Sequence, residues 1–261
     1  MSTAAISRRW MGRASSAWAW LREHQHFVVM IALLIIVSGT WFFIALADEV
    51  LEGDTQHFDD RIIHLLQKPA PSINAGDITP RTIPIGPEWL REVGRDMTAL
   101  GGVAVLTLVT FSVAGYMLIL RKFHAMWLIL IATFGGLIIS TILKHGFDRP
   151  RPGVSHFSYV YTSSFPSGHS MLSAVVYLTL GSMLTRLAPR RVEKFYFLGI
   201  ALLLTFLVGI SRVYMGVHYP TDVLAGWTAG LVWAVICWIV TRILQIRGKV
   251  EKDTDIDAAR R

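Results

Sequence analysis

"FVVMIALLIIVSGTWFFIALA", residues 27–47, is an apolar run long enough to decide the fold. A helix needs about 20 such residues to cross the hydrocarbon core of a bilayer. Five further windows of this kind occur at residues 99–120, 125–143, 170–187, 195–211 and 223–243. Because 53% of the 261 residues are hydrophobic and only 16% are charged, the chain carries too little polar surface for a soluble domain of this size. We therefore predict an all-α integral membrane bundle of six transmembrane helices.

The distribution of basic residues predicts the orientation of this bundle. If the N-terminal side is taken as inside, 16 of the 25 lysines and arginines fall in short inside loops and tails. The loop of residues 48–98, on the other side, has ten acidic residues against five basic ones. The positive-inside rule then puts both termini in the cytoplasm. The net charge of +7 therefore orients the chain, and we expect no nucleic-acid partner.

One membrane domain, residues 27–247, accounts for most of the chain. It follows a cytoplasmic or interfacial segment, residues 1–26, in which tryptophans are interleaved with arginines. A polar cytoplasmic tail, residues 248–261, ends the chain. The "ALAD" at residues 45–48 raises the alternative that the first window is a cleaved signal peptide. The apolar core of that window exceeds the usual signal-peptide length of about 7–15 residues, which favours an uncleaved helix.

The outside loop, residues 48–98, contains one segment with helical periodicity. This segment is "HFDDRIIHLLQ", residues 57–67. Its apolar residues recur at the spacing of one helix face: Phe58, Ile62, Leu65 and Leu66. The spacing predicts an outer amphipathic helix that lies on the membrane surface.

Three polar segments stand at predicted membrane boundaries: "KHGFDRPRP" (144–152), "PSGH" (166–169) and "SRVYMGVHYPTD" (211–222). The first two lie in one loop, and two predicted helices separate that loop from the third segment. All three therefore fall on the same side of the membrane, which the charge rule makes the outside.

Together these segments carry the groups that bind a phosphate. Three of the groups are cations: Lys144, Arg151 and Arg212. Arginine pairs with phosphate oxygens in a bidentate way, whereas lysine acts as a point charge. The Ser-Gly of "PSGH" is typical of a helix start, and the free amides at a helix N-terminus favour an anion.

Two histidines and one carboxylate can supply the chemistry of phosphoryl transfer. One histidine attacks phosphorus, and a second protonates the leaving oxygen. His169 and His218 are the candidates. Asp222 follows His218 by four residues, within reach of one ring nitrogen, and a carboxylate there would fix the tautomer so that the other nitrogen can attack.

Each of these residues also has a purely structural explanation. Lys144 alone fits a snorkelling anchor at a helix end, and Arg149 and Arg151 fit loop charges that face lipid headgroups. Ser167 fits an N-cap, and "HYPTD" fits the start of the next helix. These explanations do not account for the presence of cations, histidines and a carboxylate on the same side of the membrane and at the same depth. Taken together, the residues favour an anion-handling site.

The order and spacing of these residues resemble a family signature. The pattern is Lys144-x6-Arg151-Pro152, Pro166-Ser167-Gly168-His169 and Ser211-Arg212-x5-His218-x3-Asp222. It resembles the three-part signature of the type 2 phosphatidic acid phosphatase superfamily. The resemblance implies a bacterial membrane lipid phosphatase of the undecaprenyl-diphosphatase type. Such a protein has six helices in the inner membrane and an active site that faces the periplasm.

The resemblance also implies a role for each matching residue. His218 is the nucleophile that forms a phosphohistidine, Asp222 orients it, and His169 is the general acid. The implied phosphate-binding residues are Lys144, Arg151, Arg212, Ser167 and Gly168, the last through its backbone amide. No metal and no other cofactor is implied, which agrees with a cluster of three cations and one carboxylate, since Mg²⁺ sites usually bring carboxylates.

The expected substrate is a lipid phosphate in the bilayer, and the motifs recognise only its phosphate. Undecaprenyl diphosphate, converted to undecaprenyl phosphate, is our first expectation because it is a broadly needed bacterial substrate. Phosphatidate, phosphatidylglycerophosphate and lipid A phosphates are alternatives, as is transfer of the phosphate to another lipid. An anion transporter is the non-enzyme alternative, but almost no charge lies inside the six windows, which argues against a translocation path. We make no prediction of the oligomeric state.

Overall fold

The structure, a computed structural model, describes residues 25–69, 81–152, 154–155 and 163–246. The predicted tail and nearly all of the predicted N-terminal segment lie outside these residues. The described part contains eight helices: α1 (Gln25–Glu52), α2 (Gln56–Leu66), α3 (Glu88–Ala99), α4 (Val103–Ile119), α5 (Phe123–Gly146), α6 (Gly168–Leu187), α7 (Arg191–Tyr214) and α8 (Pro220–Ile246). It also contains three short strands: β1 (Gln67–Pro69), β2 (Arg81–Pro84) and β3 (Val154–Ser155).

The helices confirm the predicted all-α membrane bundle. Five of them are long and apolar enough to span a membrane alone: α1, α5, α6, α7 and α8. Helix α4 has only 17 residues, and together with α3, from which it is bent by 49°, it is the candidate for the sixth span by length and composition. Helix α4 itself begins at Val103, four residues after the start of the predicted window 99–120. A side chain at Gly101, in the bend, would place its Cβ 2.3 Å from Val208 Cγ1 and 3.3 Å from His169 Cβ.

Helix α6 lies at the centre of the bundle, where it packs against α5, α7 and α8. Most of its residues are buried. Because neighbouring helices rather than lipid surround it, it carries small and polar residues such as Ser170, Ser173 and Gly181 among its apolar ones. The largest buried apolar cluster joins α6 to α4 and α7 through Leu106, Leu172, Val176, Tyr177, Ala201 and Val208. This packing fixes the N-terminus of α6, where the "PSGH" segment stands.

Helix α2 matches the predicted amphipathic helix to within one residue at each end. Phe58 and Leu65 are 53% and 63% exposed, as expected for an apolar outer face. The opposite face contains Asp59, which is fully buried. The inward position of this charged residue was not predicted from the sequence.

A three-stranded sheet follows α2, with β1 antiparallel to β2 and β2 parallel to β3. It was not predicted, because strands of two to four residues that contain prolines give no periodic signal. The sheet is tied to α7 by Gln67, whose Nε2 donates to the carbonyl oxygen of Tyr214 at 2.7 Å. This bond holds the segment after α2 against the end of α7, within the third polar segment.

Candidate active site

The three polar segments meet at one end of the bundle, which we call the motif end. It is formed by the C-terminus of α5 with the residues that follow, the N-terminus of α6, and the turn between α7 and α8. A Cβ on Gly168 would lie 3.2 Å from Lys144 Cε, so the first and second segments are in contact. Arg151 Nη1 donates to the carbonyl oxygen of Val217 at 3.0 Å, which joins the first segment to the third. The structure thus brings together the segments that the sequence placed on one face.

His218 lies between Asp222 and Arg151, and it is only 1% exposed. Its Nδ1 is 3.4 Å from Asp222 Oδ2, and its Nε2 is 3.3 Å from Arg151 Nη1. A guanidinium can only donate hydrogen bonds, so Nε2 accepts and Nδ1 carries the proton. This assignment leaves the lone pair of Nε2 directed toward the cationic side of the site.

The pKa of His218 explains why the ring can act as a base or nucleophile. Burial lowers this pKa to about 3. The hydrogen bond to Asp222 opposes the effect of burial, while the charges of Arg212 and Arg151 reinforce it. The imidazole is therefore neutral at physiological pH, because the charged form is disfavoured in the buried site.

Asp222 is fully buried, and both of its carboxylate oxygens are engaged. Oδ2 accepts a hydrogen bond from the Tyr219 backbone N–H at 2.9 Å and another from the Ser164 hydroxyl. Oδ1 accepts from Arg149 Nη1 at 2.7 Å. Charge-assisted hydrogen bonds of this kind favour the ionised carboxylate and hold it in one orientation.

Arg212 lies on α7 and is only 8% exposed. Its buried Nε has no hydrogen-bond partner among the described residues. A buried donor without an acceptor costs about 1–3 kcal/mol, so sites of this kind are rarely left without a function. An anionic oxygen would satisfy this donor.

Lys144 lies in the last turn of α5, beside the start of α6. Its Nζ donates to the carbonyl oxygen of Ser163 at 3.4 Å, a long bond that leaves the ammonium with further donors. Together with Arg151 and Arg212, Lys144 completes the set of cations that the sequence predicted. The charges of Arg151 and Arg212 both bear on Lys144, which places the three cations within interaction distance of one another.

The N-terminus of α6 has the geometry of an anion site. Ser167 is its N-cap, and Ser167 Oγ accepts from the Ser170 backbone N–H at 3.5 Å and from Ser170 Oγ at 3.0 Å. The hydroxyl hydrogen of Ser167 is not used in either bond. The amides of Gly168 and His169 come first in the helix, where no residue of the same helix can accept from them. These donors point out of the positive end of the helix dipole.

His169 stands in the first turn of α6 and is half-buried. The positive charges of Arg212, Lys144 and Arg151 bear on its ring. Arg212 and Arg151 also bear on His218, so the two histidines face the same two arginines.

The position of Arg149 was not predicted from the sequence, in which this residue fits a loop charge. The Arg149 side chain is 8% exposed and forms ion pairs with Asp222 and with Asp59 of α2, each at 2.7 Å. Its guanidinium also stacks 4.3 Å from the centre of the Tyr219 ring. Burial acts to lower the pKa of Arg149, but the two carboxylates outweigh it and raise that pKa above its ordinary value.

Asp59 and Ser164 were also missed. A signal for Asp59 was present, because it shares a helix face with the half-buried Ile62, Ile63 and Leu66 at spacings of three, four and seven residues. An acidic residue on such a face indicates a buried partner. Ser164 gave no signal of its own, since a serine before a helix start is common.

The motif end can now be compared with known proteins. Residues 124–245 match the PAP2 superfamily. Phosphatidylglycerophosphatase B of Bacillus subtilis (strain 168) is 36% identical over 145 residues, which cover 55% of this chain and 71% of that protein. A lipid A 1-phosphatase of Rhizobium etli is 28% identical over 179 residues, or 59% and 72% of the two chains.

A solved structure shows the same fold. The crystal structure of a transmembrane PAP2-type phosphatidylglycerolphosphate phosphatase from Bacillus subtilis aligns with a TM-score of 0.70 and 30% sequence identity. The alignment covers 80% of this chain and 96% of that one. The resemblance seen in the sequence is thereby confirmed: the chain belongs to the PAP2 superfamily and shares its fold with membrane lipid phosphatases.

Proposed function

We propose that this protein hydrolyses a phosphate group from a membrane lipid through a phosphohistidine at His218 Nε2. The observation that carries the proposal is the position of the His218 ring between Asp222 and Arg151. Its Nδ1–H faces the buried Asp222, and its Nε2 faces the cations that would hold the phosphate. A neutral imidazole so oriented is the arrangement that nucleophilic catalysis requires.

Phosphate binding is the first step. Lys144, Arg151 and Arg212 would contact the non-bridging oxygens, and the Arg212 Nε would gain the acceptor that it lacks among the described residues. The first amides of α6 add donors at the positive end of a helix. These groups neutralise the charge that spreads over the oxygens during phosphoryl transfer.

Two displacements at phosphorus follow. In the first, Nε2 of His218 forms a bond to phosphorus while the bond to the lipid oxygen breaks, and His169 gives its proton to that oxygen. Asp222 stabilises the positive charge that His218 gains. In the second, water attacks phosphorus as the P–N bond breaks, and His169 takes a proton from the water. Inorganic phosphate leaves, and both histidines return to their starting states.

Undecaprenyl diphosphate is the first substrate that we propose, as expected from the sequence. Phosphatidylglycerophosphate is the second candidate, because the relative from Bacillus subtilis is named for that activity. The two lipids present the same terminal phosphate to the site but differ in their headgroup and tail. We also propose that both termini are cytoplasmic and that the motif end faces the periplasm of the bacterial inner membrane, which the charge distribution supports.

Catalysis without a metal is a further part of the proposal. Within the described residues, no group of three or more His, Cys, Asp or Glu side chains is arranged to hold a metal ion. The cations of the site can supply the positive charge that Mg²⁺ supplies in other phosphoryl-transfer enzymes. Activity in the presence of a chelator tests this point directly.

The experiment is phosphate release by the detergent-purified protein in EDTA. Undecaprenyl diphosphate, phosphatidylglycerophosphate, phosphatidate and lipid A are offered in parallel, with His218→Ala as the control. We expect release that is lost in the variant, and the relative rates rank the substrates. Release that persists in His218→Ala would overturn the mechanism. If a substrate lipid loses its phosphate but no inorganic phosphate appears, the phosphate has instead been transferred to another lipid.

A further inference from the structure

Helix α2 is connected to the catalytic carboxylate through one buried arginine. Asp59 Oδ2 accepts from Arg149 Nη2, and Asp222 Oδ1 accepts from Arg149 Nη1, each at 2.7 Å. Both carboxylates are fully buried, and the arginine side chain is 8% exposed. The three residues come from α2, from the segment after α5 and from α8. They form a continuous chain of charge-assisted hydrogen bonds across the motif end.

We infer that Asp59 and Arg149 are positioning residues that hold Asp222 in the orientation His218 needs. The inference rests on the proposed role of His218 as the nucleophile. It assigns α2 a function in the reaction, as a fixed part of the active site rather than only a helix on the membrane surface. Neither residue contacts the reacting phosphate in this assignment.

The geometry gives the first reason. A carboxylate that is held at one oxygen alone can rotate about its Cβ–Cγ bond. Asp222 is held at Oδ2 by Ser164 and Tyr219 and at Oδ1 by Arg149. Bonds at both oxygens fix the carboxylate plane and keep Oδ2 directed at His218 Nδ1. Arg149 is the only described residue with a hydrogen bond to Oδ1.

Charge gives the second reason. If Arg149 were paired with Asp222 alone, one guanidinium would neutralise the one carboxylate that His218 uses. Asp59 adds a second negative charge, so the group of three keeps a net charge of −1. Asp222 can then stabilise the positive charge that His218 gains when it is phosphorylated.

The attachment of α2 gives the third reason. Asp59 also accepts hydrogen bonds from the Thr221 backbone N–H at 3.2 Å and from the Thr221 hydroxyl. Thr221 lies in the first turn of α8, next to Asp222. Gln56, one turn earlier in α2, is 3.4 Å from both Arg149 Nη2 and the Tyr219 hydroxyl. Helix α2 thus contacts the same segment, residues 218–222, that carries His218 and Asp222.

Four variants test the inference: Asp59→Asn, Arg149→Gln, the double variant, and Asp60→Asn as the matched control. Asp60 neighbours Asp59 on α2, and among the described residues its side chain accepts a hydrogen bond from Gln56, which the Oδ1 of an asparagine can keep. We expect Asp59→Asn to lower kcat by about 10- to 100-fold, with KM changed by less than about threefold. Asp60→Asn should behave as wild type. If Asp59 acts through Arg149, the double variant is no slower than Arg149→Gln alone.

A second readout does not depend on activity. The ¹⁵N spectrum of His218 at neutral pH reports its tautomer. Wild type and Asp60→Asn should show the Nδ1–H form alone, and Asp59→Asn should show a mixture with the Nε2–H form. Asp59→Glu, which keeps the charge, should lie between wild type and Asp59→Asn in both readouts. This variant serves in place of Asp59→Asn if the latter does not fold.

Two results would overturn the inference. One is a kcat and a His218 tautomer in Asp59→Asn that equal those of Asp60→Asn. The other is a double variant whose loss is the product of the two single losses, since Asp59 would then act independently of Arg149. If wild type releases phosphate from no lipid, the proposed function fails. The tautomer comparison still decides the positioning role in that case.

Discussion

The backbone N–H of Ser167 donates a hydrogen bond to the carbonyl oxygen of Asp222 at 3.0 Å. This bond joins the residue that caps α6 to the first turn of α8. Two helix N-termini therefore meet at the motif end, and both direct the positive end of their dipole toward it. The proposed phosphate-binding donors of α6 and the Asp222 carboxylate beside His218 are fixed relative to each other by the backbone itself.

Ser164→Ala removes one of the three donors to Asp222 Oδ2 without adding charge or bulk. A hydrogen bond to a charged group contributes about 1.5–3 kcal/mol, so we expect kcat to fall roughly tenfold or more. KM should change little, because Ser164 is fully buried behind Asp222. Steady-state kinetics measure both constants. Ser182→Ala, which removes a hydroxyl bonded within α6, is the control, and equal kcat values for the two variants would contradict the role of Ser164.

Arg212→Lys keeps the positive charge but removes the buried Nε and the planar fork. We expect the affinity for inorganic phosphate or orthovanadate, measured as inhibition, to fall by roughly tenfold or more because bidentate pairing is lost. Arg95→Lys, at a surface position where the side chain is 59% exposed, should leave inhibition unchanged. An unchanged inhibition constant in Arg212→Lys would show that Arg212 does not contact phosphate.

The pH dependence of His218 follows from its buried position. Its pKa is lowered to about 3, so the ring is neutral above that pH and becomes protonated only below it. We therefore expect an NMR titration, assigned with His218→Asn, to show a neutral His218 at pH 5. The groups whose charges bear on this ring are Arg212, Asp222 and Arg151. A titration midpoint near 6.5, the ordinary value for histidine, would contradict the burial of this ring.

Gly216→Ala tests the turn that presents His218. Gly216 has φ +66°, and an added Cβ would lie 2.8 Å from Gln67 Cδ. We expect the free energy of unfolding to fall by about 1–3 kcal/mol, because the backbone conformation is unfavourable for alanine and the β1 contact must shift. Gly199→Ala is the control in α7, since no neighbouring atom lies within 4 Å of its added Cβ. Thermal unfolding in detergent measures the effect. An equal unfolding midpoint for Gly216→Ala and Gly199→Ala would show that Gly216 is not required.

The sequence predicted the helices and most of the site for separate physical reasons. A membrane-spanning helix requires contiguous apolar residues, so each window is visible without knowledge of its neighbours. The spacing of Lys144, Arg151, His169, Arg212, His218 and Asp222 relative to these windows placed all six residues at one end of the bundle. Only α4 began later than predicted, because Gly101 and Gly102 allow the chain to bend against α6 and α7.

The ion pairs around Arg149 were beyond sequence reasoning. Asp59 and Arg149 are separated by 90 residues, and no local pattern links them. In the sequence, Arg149 stands two positions before Arg151 and cannot be told apart from an ordinary loop charge. The packing of α2 against the first turn of α8 makes Arg149 a buried partner of two carboxylates. A charge whose partner lies on a distant element is identified by the fold and not by its neighbours in sequence.

The most direct test of the account is to trap the phosphorylated enzyme. Substrate is mixed with the protein, the reaction is stopped in alkali, in which phosphohistidine survives, and the phosphorylated peptide is identified by mass spectrometry. We expect one phosphoryl group on His218 in wild type and none in His218→Ala. Turnover of substrate with no phosphorylated protein, or with the phosphoryl group on another residue, would contradict the assignment of His218 as the nucleophile.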